Sequence, residues 1–448
     1  MIYSGKHAVV LGLGHSGEAA AALLQEEGAV VTICESQDTP AQREKASRLE
    51  AMGITVRLGA AADADPTPYD VCVLSPGIDP VVPLVQNVLR KKIPVIGELE
   101  LAFSECLCPV VAITGSNGKT TTTELTTTML AGSGVRTMAS GNIGLPFATA
   151  VRRSHELDVM VLEVSSFQLE TTRTFRPQVA VWLNLSPNHL DRYKDMEEYR
   201  AAKLRVFEHQ TAGDFAVVNA REDLPALSAR RITFSASTEE ADFTLRGSTI
   251  HYQGEPVLDQ STILLQGIHN AENLMAAFGV GVALGVDLDR MAAAVAQYSA
   301  PAHRCEFVRE LGGVRWINDS KATNLDAVEK ALLSQDRPLI LIAGGKDKGF
   351  EFDPLLPLVR KSVRVAILIG EMKGRIARSW NGVDCRIAST LEEAVQLAQE
   401  TARAGEVVLF SPGTSSFDMF RNYGERGNRF KDLVNALTEK FQPSQNPN

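Results

Sequence analysis

Aromatic residues make up only 6% of this 448-residue chain, and tryptophan occurs three times. No stretch stays apolar for the roughly 20 residues that a membrane helix needs, so no span is expected. Positive charge is in deficit: 45 Lys and Arg face 54 Asp and Glu, a net charge of -9. That speaks against a nucleic-acid binder, since no domain is basic. Cysteine is sparse and scattered, at Cys34, Cys72, Cys106, Cys108, Cys305 and Cys385. Only Cys106 and Cys108 lie close, and no second pair stands at zinc-ligand spacing. Neither a disulfide framework nor a zinc finger follows, and reduced thiols of a cytoplasmic protein are expected. No leader peptide is expected either, because Gly12 and Gly14 break the first apolar run.

What the chain does have is 44% hydrophobic residues, enough for large cores, at a length that suggests about three domains. Strand-like runs alternate with helical segments: 7–11, 30–34, 71–74, 110–113, 159–163, 179–184, 339–343, 365–369 and 407–410. Several are apolar on consecutive residues, as in parallel strands covered on both faces. The alternation predicts doubly wound α/β domains. Breaks near Pro94 and Pro301 divide the chain into residues 1–97, 98–302 and 303–448. Residues 233–265 read as short strands with turns, an antiparallel appendage, and 443–448 as a disordered tail.

The most informative run is Thr114-Gly115-Ser116-Asn117-Gly118-Lys119-Thr120-Thr121, between an apolar strand and a helix predicted over 121–131. Glycines let backbone N–H groups approach an anion, and the helix N-terminus favours negative charge. Lys119 is placed to reach the outer phosphates of ATP, and the Thr120 hydroxyl to sit on Mg²⁺. The spacing departs from the usual phosphate loop, since Ile113 stands where its first glycine belongs. Glu163 ends an apolar strand, where a nucleotidase needs a metal-binding acid. His189 follows another strand, and on the same sheet edge it points to a second metal.

The first domain carries Gly12-Leu13-Gly14-His15-Ser16-Gly17, with Glu35 closing the next strand and Ser75-Pro76-Gly77 following a further one. Alone, this pattern leaves open NAD, another nucleotide diphosphate, or mere packing of helix on strand. The third domain has polar loops after three strands: Asp319-Ser320-Lys321-Ala322-Thr323-Asn324, Gly344-Gly345-Lys346-Asp347-Lys348-Gly349 and Ser411-Pro412-Gly413-Thr414-Ser415-Ser416. They suit a small polar substrate, with Lys321 and Lys348 as point charges for carboxylates or phosphates.

These residues together resemble the Mur ligases and their relatives the folylpolyglutamate synthetases. The resemblance runs through the phosphate loop, Asn142 in Gly141-Asn142-Ile143-Gly144, Glu163, His189, His269-Asn270-x-x-Asn273, His303-Arg304, the 319–324 loop, the stretch from Ser411 to Phe420, and Arg426-Gly427-Asn428. The dinucleotide-like first domain counts against a folate ligase. The resemblance implies three domains: Rossmann-like, P-loop ATPase-like and Rossmann-like, binding a UDP-sugar, ATP and an amino acid in turn. It implies a cytoplasmic ligase, expected as a monomer, that joins D-glutamate to UDP-N-acetylmuramoyl-L-alanine through an acyl phosphate. Another acceptor within the family is the alternative.

On that pattern Gly14, His15, Ser16, Glu35, Ser36, Ser75, Pro76 and Gly77 border the uridine diphosphate. Asn142 and His189 face the substrate, His189 also binding the second of two Mg²⁺ ions. Asn270 and Asn273 contact adenine, and Arg304 and Asp319 lie near the rest of ATP. Lys321, Thr323, Lys348, Ser416 and Phe417 shape the D-glutamate pocket. His189 or Asp319 is the expected base for the amine. Lys203, carbamylated by CO₂, supports a Mg²⁺, and the third domain is expected to swing onto the nucleotide. An NAD-dependent oxidoreductase or a P-loop switch leaves most of these residues without a role.

Overall fold

The computed structural model describes residues 2–438 except 64, 66, 187–191, 264, 266, 297, 299–301, 334, 336 and 348. Among these residues three sheets form. The first is parallel: β1 (His7–Leu11), β2 (Val30–Glu35), β3 (Thr55–Leu58), β4 (Val71–Leu74) and β5 (Val95–Gly97), in the order β3-β2-β1-β4-β5. The second runs β14-β13-β12-β11-β10-β9-β6-β8-β7. Its strands are β6 (Val110–Thr114), β7 (Thr137–Gly141), β8 (Val159–Glu163), β9 (Val179–Trp182), β10 (Phe215–Asn219), β11 (Arg230–Ser235), β12 (Phe243–Arg246), β13 (Thr249–Tyr252) and β14 (Glu255–Asp259). The third is β15-β16-β20-β17-β18-β19, from β15 (Glu306–Leu311), β16 (Val314–Asn318), β17 (Leu339–Gly344), β18 (Val363–Ile369), β19 (Asp384–Ile387) and β20 (Val407–Phe410). The chain divides into two compact units, Met1–Tyr298 with the first two sheets and Ser299–Asn448 with the third.

The mixed α/β expectation holds, and its cause is visible in burial. Every residue of β6, β8, β9 and β17 is buried, which requires helices on both faces of a parallel sheet. Local signals end the helices. The helix Pro40–Ala51 begins at a Thr39–Gln42 capping box with Pro40 in its first turn. The helix Ile268–Leu284 stops at Gly285, whose left-handed backbone returns its N–H to Gly281 and Val282.

Three local expectations need correction. Residues 233–265 are not a separate appendage. β11 and β12 continue the second sheet in parallel, and only β12-β13-β14 is antiparallel. The nucleotide-side helix spans Lys119–Gly132 rather than starting at 121. β9 ends at Trp182 rather than at 184: Leu183 N–H gives the last bond to Thr114 O, and Asn184 turns its side chain to Asn117.

Two buried acids in the helix Glu98–Ser104 join the first sheet to the second. Glu100 accepts the backbone N–H groups of Arg173, Thr174 and Phe175 and the Thr174 hydroxyl. Glu98 accepts Ala148 N–H at 2.6 Å, at the start of the helix Phe147–Ala150. Burial pushes the Glu98 carboxyl up to about 7, although the N–H groups of Ala148 and Phe147 pull it down. A folded-state value above the unfolded one means stability is full below about pH 4.3 and is lost as pH rises through about 7. Glu98→Gln, which does not ionise, is expected to flatten this loss. Denaturation at pH 5 and 8 should show a pH dependence smaller than the wild type's by on the order of 2 kcal/mol.

Candidate active site

The loop after β6 is braced before any ligand arrives. Asn117 N–H donates to Asn184 Oδ1 at 2.9 Å, and Asn184 Nδ2 returns a bond to Asn117 O. Ser116 Oγ donates to Ser186 O, accepts Ser186 N–H, and lies 3.3 Å from the Tyr199 hydroxyl. Gly118 takes φ +84, and a Cβ there would lie 2.5 Å from Asn273 Oδ1. Asn273 also accepts the Thr122 hydroxyl, so the fold brings this expected adenine contact onto the phosphate loop. Asn270 lies one turn earlier in the same helix. Thr121 lies in the first turn of Lys119–Gly132.

Lys119 folds back on its own loop, donating to Gly115 O at 2.9 Å and Ser116 O at 2.8 Å. Thr120 donates to Glu163 Oε2 at 2.6 Å, and Asn142 Nδ2 donates to Glu163 Oε1 at 2.7 Å. A carboxylate oriented on both oxygens beside a hydroxyl is a hard-oxygen pair that suits Mg²⁺ better than a softer metal. Lys203 is 1% exposed, donates to Gly115 O at 2.9 Å, and lies 4.8 Å from the Tyr199 ring. Burial drives its amine well below the usual lysine range. Lys119 pushes the same way, and Glu163 opposes. His189, expected here, lies outside the described residues.

In the first sheet the strand order reverses between β1 and β4, and the loops after both strands meet there, as at a ligand crevice. Gly17 admits no side chain, since a Cβ would lie 2.0 Å from Gly12 O. Gly14, by contrast, faces open space, and His15 and Ser16 begin the helix His15–Glu26. Ser75 Oγ is buried with no hydrogen-bond partner among the described residues, which leaves it available to a ligand. Pro76 and Gly77 follow it. Glu35 is partly spent: it accepts Leu13 N–H and Gln37 N–H, and Ser36 Oγ lies 3.4 Å away. It therefore shapes the glycine loop.

In the third sheet the loops after β16, β17 and β20 interlock. Gly413 N–H bonds to Ala322 O, Gly344 N–H to Pro412 O and Lys346 N–H to Ser415 O. Asp319 accepts Ser411 Oγ at 2.7 Å and Cys305 N–H at 3.1 Å, and burial raises its carboxyl to about 6. Arg304 sits between His303 and Cys305, both in left-handed backbone. Lys321 is exposed, Thr323 half-buried and Ser416 buried, while Phe417 is 65% exposed. Lys348 lies outside the described residues.

Sequence reasoning missed the bracing residues Asn184, Ser186 and Tyr199. It also missed Arg192, whose Nη1 donates to Pro76 O and Ile78 O while Nη2 meets Glu170. That contact ties the 75–78 loop to the second sheet's domain.

Three segments of the chain match known domain families. Residues 6–97 match the MurD-like N-terminal domain of Mur ligases, 113–281 the Mur ligase middle domain and 303–413 the Mur ligase glutamate ligase domain. A UDP-N-acetylmuramoylalanine--D-glutamate ligase of Geobacter metallireducens is 43% identical across 99% of this chain and all of its own. The chain belongs to the Mur ligase family. A ligase of the same description from Pelobacter propionicus is 44% identical over 96% of this chain and 99% of its own. Among solved Mur ligase structures, a murein peptide ligase from Psychrobacter arcticus aligns at TM-score 0.53 and 16% identity, covering 97% of this chain and 100% of that one. That likeness is one of fold. In this Mur ligase the positive φ at Gly118 gives a direct check on the loop. Gly118→Ala adds about 1–2 kcal/mol of backbone strain and displaces Asn273. Isothermal titration should show nucleotide affinity reduced about tenfold or more.

Proposed function

We propose that this chain is an ATP-dependent amide ligase that adds D-glutamate to UDP-N-acetylmuramoyl-L-alanine in peptidoglycan precursor synthesis. The observation that carries the reading is the braced phosphate loop with Thr120 bonded to Glu163, in a chain matching a MurD-like first domain and a glutamate ligase third domain. A carboxylate oxygen of the L-alanyl group attacks the γ-phosphorus, the bond to ADP breaks, and an acyl phosphate forms. The amine of D-glutamate then attacks the acyl carbon, phosphate leaves, and the amine proton passes to a base.

The first step joins two anions, so its barrier falls only where cations offset their repulsion. Lys119 exchanges the carbonyls of Gly115 and Ser116 for phosphate oxygens. Thr120 and Glu163 are the residues to hold a divalent cation, and Asn142 keeps Glu163 turned toward it. When bound, Mg²⁺ supplies charge neutralisation on the phosphoryl oxygens. His189 is assigned to the second ion and to the substrate. Asp319, with its raised carboxyl, suits a base for the amine proton. The loops at Gly14–Ser16 and Ser75–Gly77 take the uridine diphosphate, with Glu35 and Ser36 at their edge. Asn270 and Asn273 are assigned to adenine and Arg304 to the triphosphate. Lys321, Thr323, Lys348, Ser416 and Phe417 are assigned to the amino acid.

What supports carbamylation of Lys203 is its burial. A neutral amine is the form that adds CO₂, and burial favours that form. Addition of CO₂ to that amine releases one proton and leaves an anionic oxygen ligand. A sample equilibrated with ¹³C-bicarbonate is expected to give a carbamate resonance that Lys203→Ala lacks. The variant should lose about 100-fold or more in kcat. An intact mass without carbamate, together with full activity of Lys203→Ala, refutes the modification.

The test of function is to incubate the protein with ATP, Mg²⁺, UDP-N-acetylmuramoyl-L-alanine and a panel of amino acids, and to identify the product by mass. One D-glutamate adduct per ADP formed is expected. Phosphate release without acceptor dependence would reject the ligase reading. Glu163→Gln should raise the Mg²⁺ concentration for half-maximal turnover about 10–100-fold.

A further inference from the structure

We infer that Arg426 is a positioning residue for the acceptor amino acid. Its buried guanidinium sets the spacing of the loops after β16 and β20 and keeps a positive charge beneath them that favours a dicarboxylic amino acid over an uncharged one. This deepens the proposed function and rests on its reading of the third unit.

The helix Tyr423–Ala436 turns Arg426, Gly427, Phe430 and Val434 inward, and Arg426 is 1% exposed. Nε donates to Ser320 Oγ at 3.0 Å and Nη2 to Ser320 O at 2.8 Å. Nη1 and Nη2 both donate to Thr414 O, at 3.3 and 3.2 Å. One planar group thus holds Ser320, on the loop after β16, against Thr414, on the loop after β20. The third loop closes on the same group, since a Cβ on Gly345 would come within 3.2 Å of Nη1. Ser320 Oγ passes the contact on by donating to Tyr423 O at 2.8 Å. The residues assigned to the amino acid hang from the clamped segments: Lys321 and Thr323 just after Ser320, and Ser416 two residues after Thr414.

All four guanidinium hydrogen bonds end on oxygens of neutral groups. Asp418 and Asp319 favour the charge only through space, while burial pulls the guanidinium down to about 10. It stays charged at neutral pH. Burying a cation without a bonded carboxylate is costly. A fixed fork of five donors explains why arginine rather than lysine spans both loops. A ligand with two carboxylates gains from the residual charge what an amide analogue does not.

Steady-state kinetics of the full chain test this, with D-glutamate and D-glutamine varied in turn at saturating ATP and UDP-N-acetylmuramoyl-L-alanine. Arg426→Gln is expected to raise the KM for D-glutamate at least about tenfold, with the KM values for ATP and the UDP-sugar within about twofold. It should also cut the D-glutamate over D-glutamine preference in kcat/KM at least about tenfold. Arg426→Lys should keep most of that preference while its KM rises. Ser320→Ala, which retains the charge, should raise the KM and leave the preference intact. If folded Arg426→Gln, judged by circular dichroism, keeps the wild-type KM and preference, or if all three KM values rise together, the inference fails. Should that variant not fold, an unchanged KM in both Arg426→Lys and Ser320→Ala overturns it, and a rise confined to D-glutamate supports it. A wild type that accepts no dicarboxylic amino acid overturns the parent reading instead.

Discussion

The register between β6, β7 and β8 is the constraint on which the nucleotide side of this molecule depends. Ile113 and Gly141 both pair with Glu163. The acid therefore ends its strand beside the loop that starts after Thr114, and Thr120 and Asn142 reach its two oxygens. Because side chains alternate along a strand, a slip of one residue would turn Glu163 to the opposite face and leave Thr120 without it. Core packing and metal chemistry are thus set by one alignment.

Each sheet solves the same problem by different means. Loops at the carboxyl ends of parallel strands must offer N–H groups and side chains to a ligand, yet stay ordered. After β6 the order comes from Asn184, Ser186 and Tyr199. After β1 it comes from Glu35, which accepts the N–H of Leu13. In the third sheet it comes from backbone bonds between loops and from Arg426.

The strands were legible because their apolar runs are consecutive, and the phosphate loop because its glycines and lysine carry a mechanism. The braces were not. Asn184 and Ser186 follow a strand without periodicity, and polar residues there read as solvated. Glu98 and Glu100 stand in the first turn of a helix, yet both are buried. No local pattern says that a distant segment will bring N–H groups to them. Lys203 and Arg426 were reached only through the family resemblance, because a lone charge on a helix reads as solvated, and their burial shows only in the fold. The buried residues Tyr199, Ala202 and Lys203 form one helical stripe, and Arg426, Gly427, Phe430 and Val434 form another. The parallel pairing of β12 with β11 escaped notice because two short strands with turns between them suggest hairpins first.

Lys119 occupies its own loop, bonded to two carbonyls. On the proposed reading, an arriving triphosphate replaces existing hydrogen bonds rather than adding new ones to a bare ammonium, and only the difference contributes to affinity. The same exchange runs backwards once the γ-phosphoryl group has been transferred. On that reading, a lysine with a ready resting place loses little by letting the spent diphosphate go.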